Sequence, residues 1–479
     1  MVGGKSGKQP RNDRNCNRCV VGDDPLMATS KIQGLTPLKP GHQFIFYGDS
    51  CSGVPGGRHE ETHARVNAVL TRLDPPPEFI IFPGDEIIGL VPDETALRKQ
   101  WQYWFDEEMA WLDRSKTPMF HSTGNHTTYD QMSERVFADV MRHLPRNGPV
   151  GQKGLAYFVR RDDLLLVFVH TLWSSMGGEG HIETDWLEQT LHQHADARWK
   201  LVVGHHPAFP VNGYVGSYQR TIGDEYVPTF WRILRDNGVL AYLCSHILAF
   251  DVQCREGVLQ ITSAGAGTKH RMPEDIEYLH AVQMAIDSNG LQYQVLDDAG
   301  ALRESLSWPP PPTKRQIDLK PGIHPLPWRH GDTPDLVRMG IKGTAAMSGS
   351  GCRQTLFAAM DEKSGEIPLW IGFIGAKTQL TVILQPSSGR SPHYWFGPEI
   401  DHDRPFEFDV LLHQGMGPGG ILWRSSATPY WSSFSGSSAW GIERLEWPSY
   451  CSVGLASSAD NIPFRGDGLC LSLSSGTIE

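Results

Sequence analysis

Five short segments of this sequence end a run of apolar residues with a side chain able to hold a metal ion. Leu201, Val202 and Val203 lead through Gly204 to His205-His206-Pro207. Residues 43–47 lead to Gly48-Asp49-Ser50-Cys51, and 79–82 to Pro83-Gly84-Asp85-Glu86. Residues 118–123 reach Gly124-Asn125-His126, and 239–243 reach Cys244-Ser245-His246. Runs with no wet face read as buried strands. The crevice beyond the carboxyl ends of such strands is where open α/β sheets bind ligands. Asp49, Asp85, Asn125, His205 and His246 offer carboxylate, amide oxygen and imidazole donors. That set suits divalent manganese, iron, zinc or magnesium and not a thiolate site. Asp85 has two oxygens with which to bridge two ions, and a metal pair can activate water and clamp an in-line phosphoryl displacement. His126, next to Asn125, is placed to protonate a leaving oxygen or to stabilise transition-state charge.

These residues need a scaffold of alternating strands and helices. Helical spacing of Val66, Val69, Leu70 and Leu73 predicts a helix stopped by Pro75-Pro76-Pro77. A Trp-rich helix is expected over 94–112, with others over 184–192 and around 230–234. Residues 155–159 and 164–169 read as an antiparallel hairpin, and 258–262 and 292–295 as closing strands. The polyproline run 309–312 marks a spacer, set at 306–340. Beyond it the helical signal disappears, and strands are expected at 370–373, 380–384, 406–412, 420–423 and 469–473. The organisation predicted is a polar N-terminal tail over 1–39, an α/β domain over 40–305, the spacer, and an all-β sandwich over 341–479.

At the five strand ends the chain resembles the calcineurin-like metallophosphoesterases, especially the purple-acid-phosphatase-like branch. The family pattern D-x-[HG], G-D-x-x, G-N-H-[DE], G-H-x-P and G-H-x-H appears in that order. Here it reads Asp49-Ser50-Cys51, Gly84-Asp85-Glu86, Gly124-Asn125-His126-Thr127, Gly204-His205-His206-Pro207 and Ser245-His246-Ile247-Leu248. The resemblance spans about residues 40–300. It implies a four-layer α/β/β/α sandwich and two divalent ions, manganese, iron or zinc. Asp85, Asn125, His205 and His246 would hold one ion, Asp49 and Asp85 would start the other site, and His126 would be the catalytic histidine.

Four positions depart from the pattern. Leu248 replaces a metal-binding histidine, Cys51 an additional ligand, and Thr127 the acid that orients the catalytic histidine. Ile88 stands where purple acid phosphatases carry an iron-binding tyrosine, so a coloured tyrosinate centre is not expected. Cys51 is open to two readings, thiolate ligand or inert buried cysteine. Asp251, three residues past Leu248, is a candidate replacement ligand. His63 is a candidate to face the site, and His206 to support His205 through a hydrogen bond.

Competing patterns are weaker. His59-Glu60-Glu61-Thr62-His63 matches the zincin motif H-E-x-x-H, but Gly56-Gly57-Arg58 places His59 at the helix start. His121 and the tryptophans over 101–111 read as core, and Lys269-His270-Arg271 as a turn. Segments 417–424 and 440–445 resemble a concanavalin-like jelly roll of the laminin-G type. That resemblance implies packing, self-association or carbohydrate recognition, with Trp395 and Trp431 as candidate sugar platforms if exposed.

The net charge of -11 over 479 residues argues against nucleic acid as a partner. No apolar run reaches the roughly 18 residues of a membrane span. The first 30 residues lack the apolar core of a secretory signal, and Met27 is an alternative start. Eight scattered cysteines suit a reducing compartment, with Cys16-x-x-Cys19 incidental, and a cytoplasmic location is expected. The functional expectation is a metal-dependent phosphoesterase acting on a small-molecule monoester or diester. The alternatives are a non-catalytic binding protein with a decayed site, or a dinuclear enzyme acting on another bond.

Overall fold

The computed structural model describes residues 30–213, 220–268, 278–328, 334–346, 352–361, 363–385, 391–414, 420–436, 445–458 and 461–476. The candidate turn at 269–271, the glycines at 417–419 and the stretch 440–444 lie outside them, as does the expected tail up to residue 29 with Cys16 and Cys19. From there the expected tail is already structured, since Ile32–Gln33 pairs in parallel with Leu73–Asp74.

The first domain runs β1 (His42–Phe46), α1 (Glu60–Leu70), β2 (Phe79–Phe82), α2 (Glu94–Tyr103), β3 (Met119–His121) and α3 (Gln131–Val140). It continues with β4 (Tyr157–Arg161), β5 (Leu164–Phe168), α4 (Thr184–Gln193), β6 (Trp199–Val203), α5 (Val227–Asp236) and β7 (Ala241–Cys244). Strands β8 (Phe250–Arg255), β9 (Val258–Ser263), β10 (His280–Asp287), β11 (Gly290–Asp297) and β12 (Leu302–Trp308) complete it, with β9 parallel to β7 and antiparallel to β8. One sheet has the order β12–β11–β10–β1–β2–β3, the other β8–β9–β7–β6–β5–β4. The expected hairpin is β4 and β5, paired antiparallel.

Alternation along β5 shows how the layers stack. Leu164, Leu166 and Phe168 belong to the core between the sheets, and Phe168 meets Phe120 of β3. Leu165 and Val167 point the other way, into a cluster with Leu187 and Leu191 of α4 and Phe230 and Leu234 of α5. On the far side of the first sheet, Trp104 stands edge-on to Phe82 and Trp101 to Phe137. Period-two residues on strands thus lock two sheets together and leave each outer face to helices.

Two elements differ from expectation. The helix expected over 94–112 becomes a π-helical turn at Trp104–Glu108, a device frequent near functional sites. Helix α3 had no apolar stripe long enough to be read from sequence. Its start is set by a capping box in which Asp130 and Ser133 satisfy each other's backbone N–H groups.

The expected spacer includes two strands. Lys314–Leu319 pairs with Gly466–Gly476, and Gly322–Pro325 with Tyr450–Val453. The C-terminal region therefore starts near residue 314 and forms two large sheets around a shared core containing Val337, Val410, Leu471, Ile371 and Val382. Phe406 and Phe408 point inward and Glu407 outward, as the alternating pattern predicts. Trp395 is fully buried in that core, and Trp431 packs against the first domain's core and under Arg424. Neither forms an exposed platform for a sugar. Among the described residues no helix is long and apolar enough to cross a membrane.

Leu166→Ala removes the buried isopropyl group from between the sheets, a change of the kind that costs about 2–5 kcal/mol. Denaturant unfolding followed by tryptophan fluorescence should show a loss in that range; a midpoint unchanged from wild type would contradict the layer assignment.

Candidate metal centre

Asp49, Asp85 and Asn125 follow β1, β2 and β3, which are neighbouring parallel strands of one sheet. His205 and His246 follow β6 and β7, parallel neighbours in the other. All five ends emerge at one rim, and main-chain bonds continue the ladders past the strands: Asp49 N to Gly84 O at 3.2 Å, Ser245 N to His205 O at 2.9 Å. His205 Nε2 lies 3.2 Å from Asp85 Oδ2, 3.1 Å from Asn125 Oδ1 and 3.2 Å from His246 Nδ1. Ligand bonds of about 2.1 Å put neighbouring donors about 3.0–3.4 Å apart in octahedral or tetrahedral shells. The donor spacing and donor chemistry therefore fit a divalent cation. Asp49 joins Asp85 and His205 in one group of donor atoms within 4.8 Å of one another, and Cys51, Asp85 and His126 form a second such group.

The backbone is bent to make this possible. Asp49, Asp85 and His246 have φ of 63°, 60° and 69°, a left-handed conformation that non-glycine residues adopt at a cost of about 1–3 kcal/mol each. Two glycines leave the necessary room. A Cβ on Gly124 would collide with the Asp85 carboxylate, and one on Gly84 would come within 2.8 Å of His205 Nδ1.

Burial pushes the Asp49 carboxyl up to about 6. Burial also acts to raise Asp85, but His205 and His126 outweigh it and hold that carboxyl at about 2. Burial opposes charge on His205, yet Asp85 raises it to about 9. Burial drives His206 and His246 well below the usual imidazole value and the Cys51 thiol well above its own. The centre is thus a water-poor cluster in which each charge depends on an opposite one.

Neighbouring groups fix the orientation of these side chains. His205 Nδ1 bonds to Pro83 O at 2.9 Å, which aims Nε2 at the donor cluster. Asp49 Oδ2 accepts from His246 N at 2.9 Å and from Ser245 Oγ. Asp85 Oδ1 accepts from His126 N at 2.8 Å. His126 Nδ1 lies 2.7 Å from the Ile88 carbonyl. That carbonyl takes over the orienting role that the sequence left vacant at Thr127, whose own hydroxyl instead accepts from Gly124 N at 2.9 Å.

Other candidates lie elsewhere. Asp251 accepts from Asn212 N at 3.3 Å and Gln253 Nε2 at 2.8 Å, and is in none of the groups of donor atoms, so it does not replace the missing ligand. Leu248 is buried without offering a donor. His63 is not among the grouped donors: its Nδ1 pairs with Glu108 Oε2 at 3.0 Å, while Glu108 also accepts from Gly53 N at 2.7 Å. The π-helical turn delivers this carboxylate beneath the Asp49 loop. His59 stands at the N-cap of α1, one helical turn before His63, whose N donates to its carbonyl at 2.9 Å. His63 is bound to Glu108 and neither histidine belongs to a group of metal donors among the described residues, so the zincin spacing builds no site here. His206 Nδ1 bonds to Thr171 Oγ1 at 2.9 Å, and its ring lies 4.3 Å from that of His246. It also belongs to a donor group with His205 and His246.

Sequence reasoning missed Ser245, Glu108 and a buried chain under Asn125, in which Thr123 Oγ1 contacts His170 Nδ1 and His170 Nε2 lies 3.3 Å from Glu134 Oε1. The only sequence signal for them was a position beside a strand-end motif, which Ser245 and Thr123 have and Glu108, His170 and Glu134 lack.

Residues 42–250 match the family model described as calcineurin-like phosphoesterase. Among solved structures, the chain is similar to purple acid phosphatase PPD1 from yellow lupin seeds, at 14% identity over 57% of this chain and 54% of that one, with a TM-score of 0.43. A dimetal phosphatase from Danio rerio shows 15% identity over 57% and 99%, with a TM-score of 0.39. GAP50, the anchor in the inner membrane complex of Plasmodium, shows 14% identity over 56% and 88%, with a TM-score of 0.40. No curated protein matches the chain.

Removing a hydrogen-bond partner of a ligand typically costs about 10–100-fold in metal affinity. Ser245→Ala should weaken manganese binding by that order in calorimetric titration, and wild-type affinity would show that Ser245 does not position Asp49.

Proposed function

We propose that the first domain is a metal-dependent phosphoesterase hydrolysing a phosphate monoester or diester. The observation that carries this reading is the convergence of Asp85, Asn125, His205 and His246 donors at 3.1–3.2 Å around His205 Nε2. Two bound divalent ions would supply Lewis acidity toward the phosphate oxygens and an activated water. Asp85 would be shared by the two ions, Asp49 and Cys51 would help hold the first, and Asn125, His205 and His246 would hold the second. His126 is the half-buried member of its donor group. With Nδ1 donating to Ile88 O, its Nε2 is presented to the leaving-group oxygen of a bound ester, where it holds or donates a proton.

One observation favours a second reading. Buried Leu248 leaves the first position short of a protein ligand, which would suit a binding protein with a single metal and no turnover. Elemental analysis of the purified protein separates the two, since two ions per chain together with hydrolysis of 4-nitrophenyl phosphate or its bis-ester would exclude it.

Asp85→Ala should abolish both metal binding and hydrolysis. His126→Ala should keep the metal while lowering kcat by about 10²–10⁴-fold, the usual contribution of a positioned acid or base. A folded, metal-loaded His126→Ala protein with wild-type turnover would remove His126 from the mechanism.

A further inference from the structure

A second concave feature lies where the two parts of the chain meet. The edge strand β8 receives the segment 431–436 through polar bonds: Cys254 N to Ser433 Oγ at 2.9 Å, Glu256 N to Ser432 Oγ at 3.0 Å, and Gly257 N to Trp431 O at 2.8 Å. Beside this seam opens a cleft of about 530 Å³, within the roughly 300–1,000 Å³ usual for small-molecule sites. Phe209 and Trp231 of the first domain and Phe396 and Trp423 of the second line it, together with Arg255. Phe209 stands edge-on to Trp231 at 4.8 Å, and Trp231 Nε1 donates to Arg255 O at 3.1 Å, so this wall is fixed.

The charges in the cleft are unequal. Arg235 is paired with Asp236 at 2.8 Å and Glu256 at 2.6 Å, and Arg232 with Glu188 at 3.1 Å. Arg255 forms no ion pair among the described residues. Its Nε and Nη2 both donate to the neutral Gln253 Oε1, at 3.2 and 3.0 Å, while Gln253 Nε2 is spent on Pro210 O and Asp251 Oδ2. Nη1 has no hydrogen-bond partner among the described residues. The guanidinium lies over the Phe209 ring at 5.1 Å, and burial lowers its pKa from the usual value. Asp251 lends the guanidinium a carboxylate charge without pairing with it, its oxygens being taken by Gln253 Nε2 and Asn212 N. A half-buried guanidinium with no directly paired carboxylate is costly, and its planar fork matches carboxylate or phosphate while its face stacks on rings.

We propose that this interdomain cleft binds a small aromatic anion, its ring among Phe209, Trp231, Phe396 and Trp423 and its acidic group on Arg255. The site is separate from the metal donors and requires both parts of the chain. It does not depend on the phosphoesterase reading.

Calorimetry on the full chain with 1-naphthoate and its neutral counterpart 1-naphthalenemethanol tests this. Naphthoate should bind the wild type more tightly than the alcohol, and Arg255→Gln should weaken naphthoate by roughly 10–100-fold, as expected for loss of a charge-assisted hydrogen bond, while leaving the alcohol unchanged. Trp423→Ala, on the opposite and half-exposed wall, should weaken both ligands and serves if Arg255→Gln does not fold. No naphthoate binding at millimolar concentration, equal affinity for the two probes, or wild-type naphthoate affinity in whichever variant folds would overturn the proposal.

Discussion

Two carboxylates, Asp49 and Asp85, are buried side by side at the rim where the sheets open. A buried carboxylate without compensation costs several kcal/mol, and here there are two, so the surrounding structure is arranged to answer them. His205 supplies the nearest positive charge, His246 N and Ser245 Oγ supply donors to Asp49, and His126 N supplies one to Asp85. A divalent cation among the same atoms would answer the charge more completely than protons do. The strained left-handed turns and the glycines at 84 and 124 follow from that need, since they bring the carboxylates to the donors and keep other atoms out of the way. The sandwich of two sheets is the means by which strand ends far apart in sequence meet at this point.

What the sequence made legible is what one segment can encode by itself. Apolar residues 79–82 followed by Gly84-Asp85 announce both a buried strand and the donor at its end, because the same few residues set burial, turn and chemistry. The five strand ends were readable for this reason, and the sheets bring all five to one place. Thr123, His170 and Glu134 were not readable, because their relation exists only after β3, β5 and α3 have packed. The same limit explains Asp251 and His63. Both are near the motifs along the chain, yet Asp251 points along its strand toward Gln253 and His63 is claimed by Glu108.

Composition misled where it outweighed pattern. The prolines at 309–312 drew the eye to a spacer, but Ile317 and Leu319 just beyond them alternate with polar residues and enter a sheet. Trp395 and Trp431 looked suited to a binding face, since aromatic side chains carry a large apolar area and a polar handle, yet exposure depends on which side of a strand a residue occupies. Trp395 faces the core between the C-terminal sheets, and Trp431 lies on the seam with the first domain.

That seam also protects the molecule. Strand β8 is the last strand of its sheet, and its outer side would offer unsatisfied peptide groups to any passing chain, the usual starting point for aggregation. Residues 431–433 occupy that side with their hydroxyls and carbonyls, and do so in an irregular way that a foreign strand cannot copy. The C-terminal region thereby acts as a cap built into the same polypeptide. Solubility of the α/β part is, on this view, a property that it borrows from its neighbour.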